Sequence, residues 1–169
     1  FLGNLLYDKQ PERAIAHWEK AVAIDPDWAL VHRNLGWGYY RHVQNLEKAI
    51  AFYERAIKLD SSEAIYYAEL DSLYELNNSP ISIRLSLFGD KNDVVKVRDD
   101  AFVRQIKVLP LAGQPDKAVE FLGDRSFNFR EGDSAVREMI IDAQLSLGQL
   151  FFEHRDYENA LKHFLWAQI

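Results

Sequence analysis

Between Ala29 and Ser62 the sequence reads ALVHRNLGWGYYRHVQNLEKAIAFYERAIKLDSS, and no other stretch constrains the fold as strongly. Apolar residues recur at helical spacing on both sides of a short polar turn, the pattern of two amphipathic helices. The small residues Gly36, Ala49 and Ala56 fall where the helices must touch, and Leu35, Tyr39 and Tyr53 fill between them. A hairpin of this kind has an apolar face too large to bury alone. Similar hairpins precede and follow it, so an all-α stack of antiparallel helix pairs, a solenoid, is expected.

Composition narrows the function. A chain of 169 residues holds one domain or one run of repeats, and 48% hydrophobic with 13% aromatic residues excludes disorder. The net charge of -6 comes from interleaved acids and bases, so no polyanion-binding surface is advertised and nucleic acid is not an expected partner. The absence of cysteine removes disulfide frameworks, thiolate zinc sites and thiol nucleophiles. No uninterrupted apolar run approaches the ~20 residues of a membrane helix, and no basic-then-apolar leader is read, so no membrane role is expected. The chain opens on Phe1, without methionine, and both ends fall inside helical pattern. It is expected to be a piece of a longer protein.

Taken in order, the pattern predicts a single array with repeats at about 1–26, 27–62, 63–96, 97–123 and 134–169, and an ordered insertion at 123–133. Pro11 suits the first turn of a helix and Pro26 stops the next one. Gly36 and Gly38 lie inside a helix, where glycine costs ~1 kcal/mol relative to alanine, so close helix approach is the expected compensation. Ser62 gives a serine N-cap signal for the third pair, whose second helix, from Pro80 to about Phe88, is short and lacks small residues. Pro110 should kink or shorten the helix that contains it.

The period of about 34 residues and its residue pattern resemble the tetratricopeptide repeat family. Leu147-Gly148, Phe151, Ala160, Phe164 and Ala167 fit the family spacing. Leu35-Gly36, Tyr39, Ala49, Tyr53 and Ala56 fit with one extra residue in the turn, and Leu2-Gly3, Leu6, Ala14, Trp18, Ala21 and Pro26 fit with one too few. The resemblance implies a right-handed superhelix and a non-catalytic scaffold for protein interaction. More narrowly, LGNLLYDKQPERAIAHWEKAVAIDPDWALVHRNLGWGYY, FNFREGD and SLGQLFFEHRDYENALKHF look like the helical portion of large bacterial proteins that also carry a sugar-mutarotase-like β-domain. That likeness implies a cytoplasmic protein and an alternative role as accessory segment of a carbohydrate-active protein.

In the tetratricopeptide fold the first helix of each pair lines a concave groove in which partners lie. The repeat phase places Asn4, Tyr7, Arg33, Asn34, Trp37, Tyr40, Arg41, Arg104 and Lys107 there, together with Glu69 and Ser72. Tyr, Trp and Arg commonly dominate binding energy, which favours Tyr7, Arg33, Trp37, Tyr40 and Arg41 as contacts to a peptide, a protein or a neighbouring domain of the same chain. The alternative is that Trp37 and Tyr40 only pack between hairpins. A carboxylate clamp resembling that of chaperone-tail binders would use Asn4 and Asn34, but Ile65 and Glu69 stand where its cations belong. The histidines lack metal-ligand spacing, GDKND reads as a turn, and no phosphate loop, nucleophile elbow or catalytic triad is legible. No cofactor, metal or catalytic activity is expected. Self-association through uncapped ends near Leu2, Leu165 and Ile169 is a further expectation.

Overall fold

The computed structural model of the chain describes Gly3, residues 6–123 and residues 134–168, apart from the side chains of 134–136. The described residues are helices and turns, with no strand. They fall into two compact units, Phe1–Ser79 and Pro80–Ile169, and the division lies between the two helices expected to form the third pair. No helix among the described residues is long and apolar enough to cross a membrane.

The first unit contains α1 (Pro11–Ile24), α2 (Ala29–Gly38, continued by a π-type turn over Tyr39–Val43), α3 (Leu46–Leu59) and α4 (Ala64–Leu76). Each helix packs on the next. Ala14, Ile15, Trp18, Val31 and Leu35 form a buried cluster, against which Leu6, Tyr7, Tyr39 and Phe52 pack. Ala49, Tyr53 and Ala56 on α3 are also buried, as their spacing requires. The glycine at position 36 has a steric reason. A Cβ there would lie 2.5 Å from the Tyr53 ring and 3.2 Å from the Ala49 carbonyl oxygen, so α2 and α3 approach to a distance only glycine permits.

The extra residue between Gly36 and Ala49 is taken up in the turn. Beyond Gly38 the helix widens over Tyr39–Val43, and the Asn45 N–H donates to the Tyr39 carbonyl at 3.0 Å. Gln44 then reverses the chain at φ 56°, and the Asn45 side chain caps α3 by accepting from the Lys48 N–H at 3.0 Å. The repeat phase is therefore restored before α3 begins.

The Ser62 cap is a correction. Glu63, not Ser62, precedes α4, and no side chain caps that helix. Asp60 competes for Ser62: its carboxylate accepts from the Ser62 N–H at 3.0 Å and from the hydroxyl at 2.6 Å, closing a local turn. These bonds hold the Asp60 carboxyl below the usual carboxylate range.

The second unit contains α5 (Ile81–Phe88), α6 (Asn92–Val95), α7 (Asp99–Leu111), α8 (Pro115–Leu122), α9 (Ser134–Glu153) and α10 (Tyr157–Trp166). Helix α7 is central and packs on α5, α6, α8 and α9, while α9 pairs with α10. Phe102, Ile106, Leu109, Ile140, Leu147 and Ala160 belong to one buried cluster. Gly148 repeats the crossing seen at Gly36, since a Cβ would meet the Phe164 ring at 2.6 Å. Pro110 ends α7 rather than kinking it, because the helix stops one residue later at Leu111. GDKND gives a turn leading into the single-turn helix α6. All of the expected insertion except Gly123 lies outside the described residues, as do Leu2 and Ile169.

Candidate functional site

The first unit brings five of the sequence-predicted residues together around the end of α2. Trp37 is half-buried there. Two guanidinium groups flank its ring, Arg41 at 5.5 Å and Arg33 at 6.0 Å from the ring centroid. Contacts of this kind are worth ~0.5–1 kcal/mol each at exposed sites. Tyr40 tilts against the same indole, with ring centroids 6.1 Å apart. Tyr7 is half-buried and meets Trp18 at 5.5 Å and His42, edge-on, at 4.9 Å. Burial raises the Tyr7 phenol above its ordinary pKa, against the opposing pull of Arg41.

The two arginines differ in their electrostatic state. Arg33 is paired with Glu69 of α4 through a bidentate contact, with its Nε donating to Glu69 Oε2 at 2.8 Å and its second guanidinium nitrogen to Oε1. Burial works against the charged guanidinium, but Glu69 more than offsets it, so Arg33 is held firmly as a cation. Arg41 is exposed and carries its charge to the surface. Beneath the ion pair lies Tyr53, 1% exposed, whose hydroxyl is pushed well above the phenol range first by burial and then by the charge of Glu69. It stays protonated at any physiological pH.

Glu69 thus has a role that the sequence did not disclose: it neutralises Arg33 instead of standing as a bare acid on the face. Asn34 is 8% exposed and accepts from Arg33 at 3.4 Å, so it supports the arginine rather than presenting an amide to solvent. Asn4 lies outside the described residues. Arg104 and Lys107 are half-buried on α7 of the second unit. Tyr53 was legible as packing between α2 and α3, but its position under the ion pair was not. Beside the cluster, the π-type turn opens a cleft of about 430 Å³ lined by Tyr40, Arg41, Gln44, Leu46 and Leu76. Tyr40 and Arg41 of this lining belong to the π-type turn itself.

Among the described residues no group of three His, Asp or Glu side chains converges as a metal site would require. His163 is an interhelical group: its Nδ1 lies 2.6 Å from Gln144 Oε1, and its ring stacks on Phe151 at 5.5 Å. Burial, helped by the charge of Lys162, holds its pKa below the ordinary histidine value. The unfolded chain therefore binds a proton that the folded chain resists, and stability must fall as pH drops below about 6.5, until the folded-state pKa is passed. Thermal melts at pH 7.5 and 5.5 should show this loss, and His163→Gln should reduce the difference between them. An unchanged pH dependence in that variant would assign the acid sensitivity to other groups.

Residues 34–63 match the family model described as tetratricopeptide repeat. Among solved structures, the chain is similar to YrrB, described as a TPR protein with an unusual peptide-binding site, at a TM-score of 0.71 and 20% identity, covering 98% of this chain and 80% of that one. It is similar to MamA at a TM-score of 0.70 and 21% identity, covering 99% of this chain and 93% of that one. A MamA from Desulfovibrio magneticus RS-1 matches at a TM-score of 0.65 and 12% identity, covering 99% and 89%. With its glycine-on-tyrosine crossing, its capped second helix and these likenesses, the chain carries a tetratricopeptide repeat at 34–63 and has the solenoid-like helical-repeat fold of such proteins.

Proposed function

We propose that the chain is a non-catalytic scaffold for protein interaction, and that it holds a peptide on the face formed by Tyr7, Arg33, Trp37, Tyr40 and Arg41. One observation carries the reading. A half-buried tryptophan lies within 6.0 Å of two guanidiniums, with a tilted tyrosine against it and a cleft beside it. Rigid aromatics of this kind bury large area at small entropic cost, which is why they dominate interaction hot spots. Arg33 is neutralised by Glu69, so Arg41 sets the sign of the face. The matching partner is a peptide with an apolar or aromatic side chain next to a carboxylate. The peptide-binding site of YrrB supports the class of function on a similar fold.

The test is selection from a random peptide library against the intact chain, followed by titration of a selected peptide. Trp37→Ala should weaken binding by about thirtyfold, the loss of a ~2 kcal/mol hot spot, while the fold is retained. Arg41→Gln should weaken binding to acidic peptides and reduce its salt dependence. The opposite pattern, a large fall in melting temperature for Trp37→Ala with peptide affinity unchanged, would identify Trp37 as packing alone.

A further inference from the structure

We propose that the second unit contains a separate binding site for a small aromatic molecule with a hydrogen-bond donor at one end and an acid at the other. Helix α5 has 8 residues where α3 has 14, and Gly89 turns the chain away at φ 39°. The missing turns leave a cleft of about 370 Å³ walled by Leu85, Phe88, Val108, Leu109 and Phe121. This lies in the range of small-molecule sites. A dry cavity of about 150 Å³ accommodates benzene, so this cleft has room for roughly two fused rings.

The polar groups specify the ends of the ligand. Gln105 projects from α7 into this lining, is 2% exposed, and leaves its side-chain carbonyl oxygen without a hydrogen-bond partner. Its neighbours on the buried side of α7, Phe102, Ile106 and Leu109, are apolar. Buried acceptors are nearly always satisfied, so this oxygen marks a place for a donor that no side chain of the lining supplies, although Ser82, Ser86, Gln114 and Lys117 also belong to it. A ligand O–H or N–H supplies the donor directly. At the rim, the Lys117 ammonium lies 5.4 Å from the centroid of the Phe121 ring, placing a cation where an acid on the ligand would emerge.

The probe is 6-hydroxy-2-naphthoic acid, compared with 2-naphthoic acid, which lacks the donor. Both are titrated into the methyl-labelled full chain and followed by NMR. The hydroxy acid should shift the methyls of Leu85, Val108 and Leu109 and bind about tenfold more tightly than its analogue. Gln105→Met, close in shape, should abolish that preference, and Lys117→Gln, at an exposed position, should weaken both acids alike while keeping it. Ser82→Phe, on the exposed rim, should close the cleft and eliminate binding of both, which keeps the test decisive if Gln105→Met does not fold. Equal affinity for the two acids, a preference that survives Gln105→Met, or shifts at Leu46 and Leu76 instead would overturn the proposal.

Discussion

Phe102→Ala should lower the melting temperature by roughly 10 °C. Phe102 is 1% exposed within the cluster that α7 builds with α9 and α10. Removing a phenylalanine ring from such a site costs about 3–5 kcal/mol, the transfer energy of the ring plus the cavity it leaves. At about 2–4 °C per kcal/mol for a chain of this size, the shift is well outside experimental error. Trp166 packs against the same cluster and is the one tryptophan of the second unit. Leu161→Ala is the matched control: Leu161 is 57% exposed, and its truncation should change stability by no more than about 0.5 kcal/mol. Comparable shifts for the two variants would mean that α7 is not the centre of the second unit.

The second large effect is at the α2–α3 crossing. Gly36→Val should move the urea midpoint down by about 1.5 M, given a cost near 3 kcal/mol and a slope of about 2 kcal/mol per molar. Valine gains a few tenths of a kcal/mol in helix propensity over glycine, which cannot offset the clash. The decisive contact is with the Tyr53 ring, which a Cβ would meet at 2.5 Å and which, 1% exposed, has no room to swing aside; the Ala49 carbonyl oxygen at 3.2 Å tightens the fit further. Trp18, Trp28 and Trp37 all lie in the first unit, so tryptophan fluorescence follows its unfolding. Adding Tyr53→Leu should recover part of the loss, since the two positions share one contact and their effects cannot be additive. If Gly36→Val left the midpoint unchanged, the two helices would have to pass farther apart than described.

Local spacing made the helix pairs readable. Gly36, Ala49 and Ala56 marked one crossing and Gly148 with Phe164 another, because a close approach of backbones excludes larger side chains wherever it occurs. The extra residue after Tyr39 was countable in the sequence, although its absorption by a π-type turn was not. The Ser62 cap failed because cap propensity ignores competitors, and Asp60 two residues earlier is a stronger acceptor. Spacing brought Arg33, Trp37, Tyr40 and Arg41 together on α2 and its continuation, but it did not disclose their electrostatic arrangement. Arg33 and Glu69 stand 36 positions apart, and only the packing of α4 beside α3 brings the carboxylate to the guanidinium. The cleft around Gln105 was less legible still, since it arises from helical turns that α5 does not have, and a periodicity reading registers residues rather than missing ones.

The π-type turn at Tyr39–Val43 also bears on how such a chain can change. Because one surplus residue is absorbed at the corner, the glycine seat before it and the asparagine cap after it keep their positions. The corner therefore works as an expansion joint: residues can be gained or lost there, re-aiming Tyr40 and Arg41, without disturbing the seam that carries the hairpin. Under the proposed peptide-binding role, ligand preference would change at that point while the contacts of the seam stay fixed.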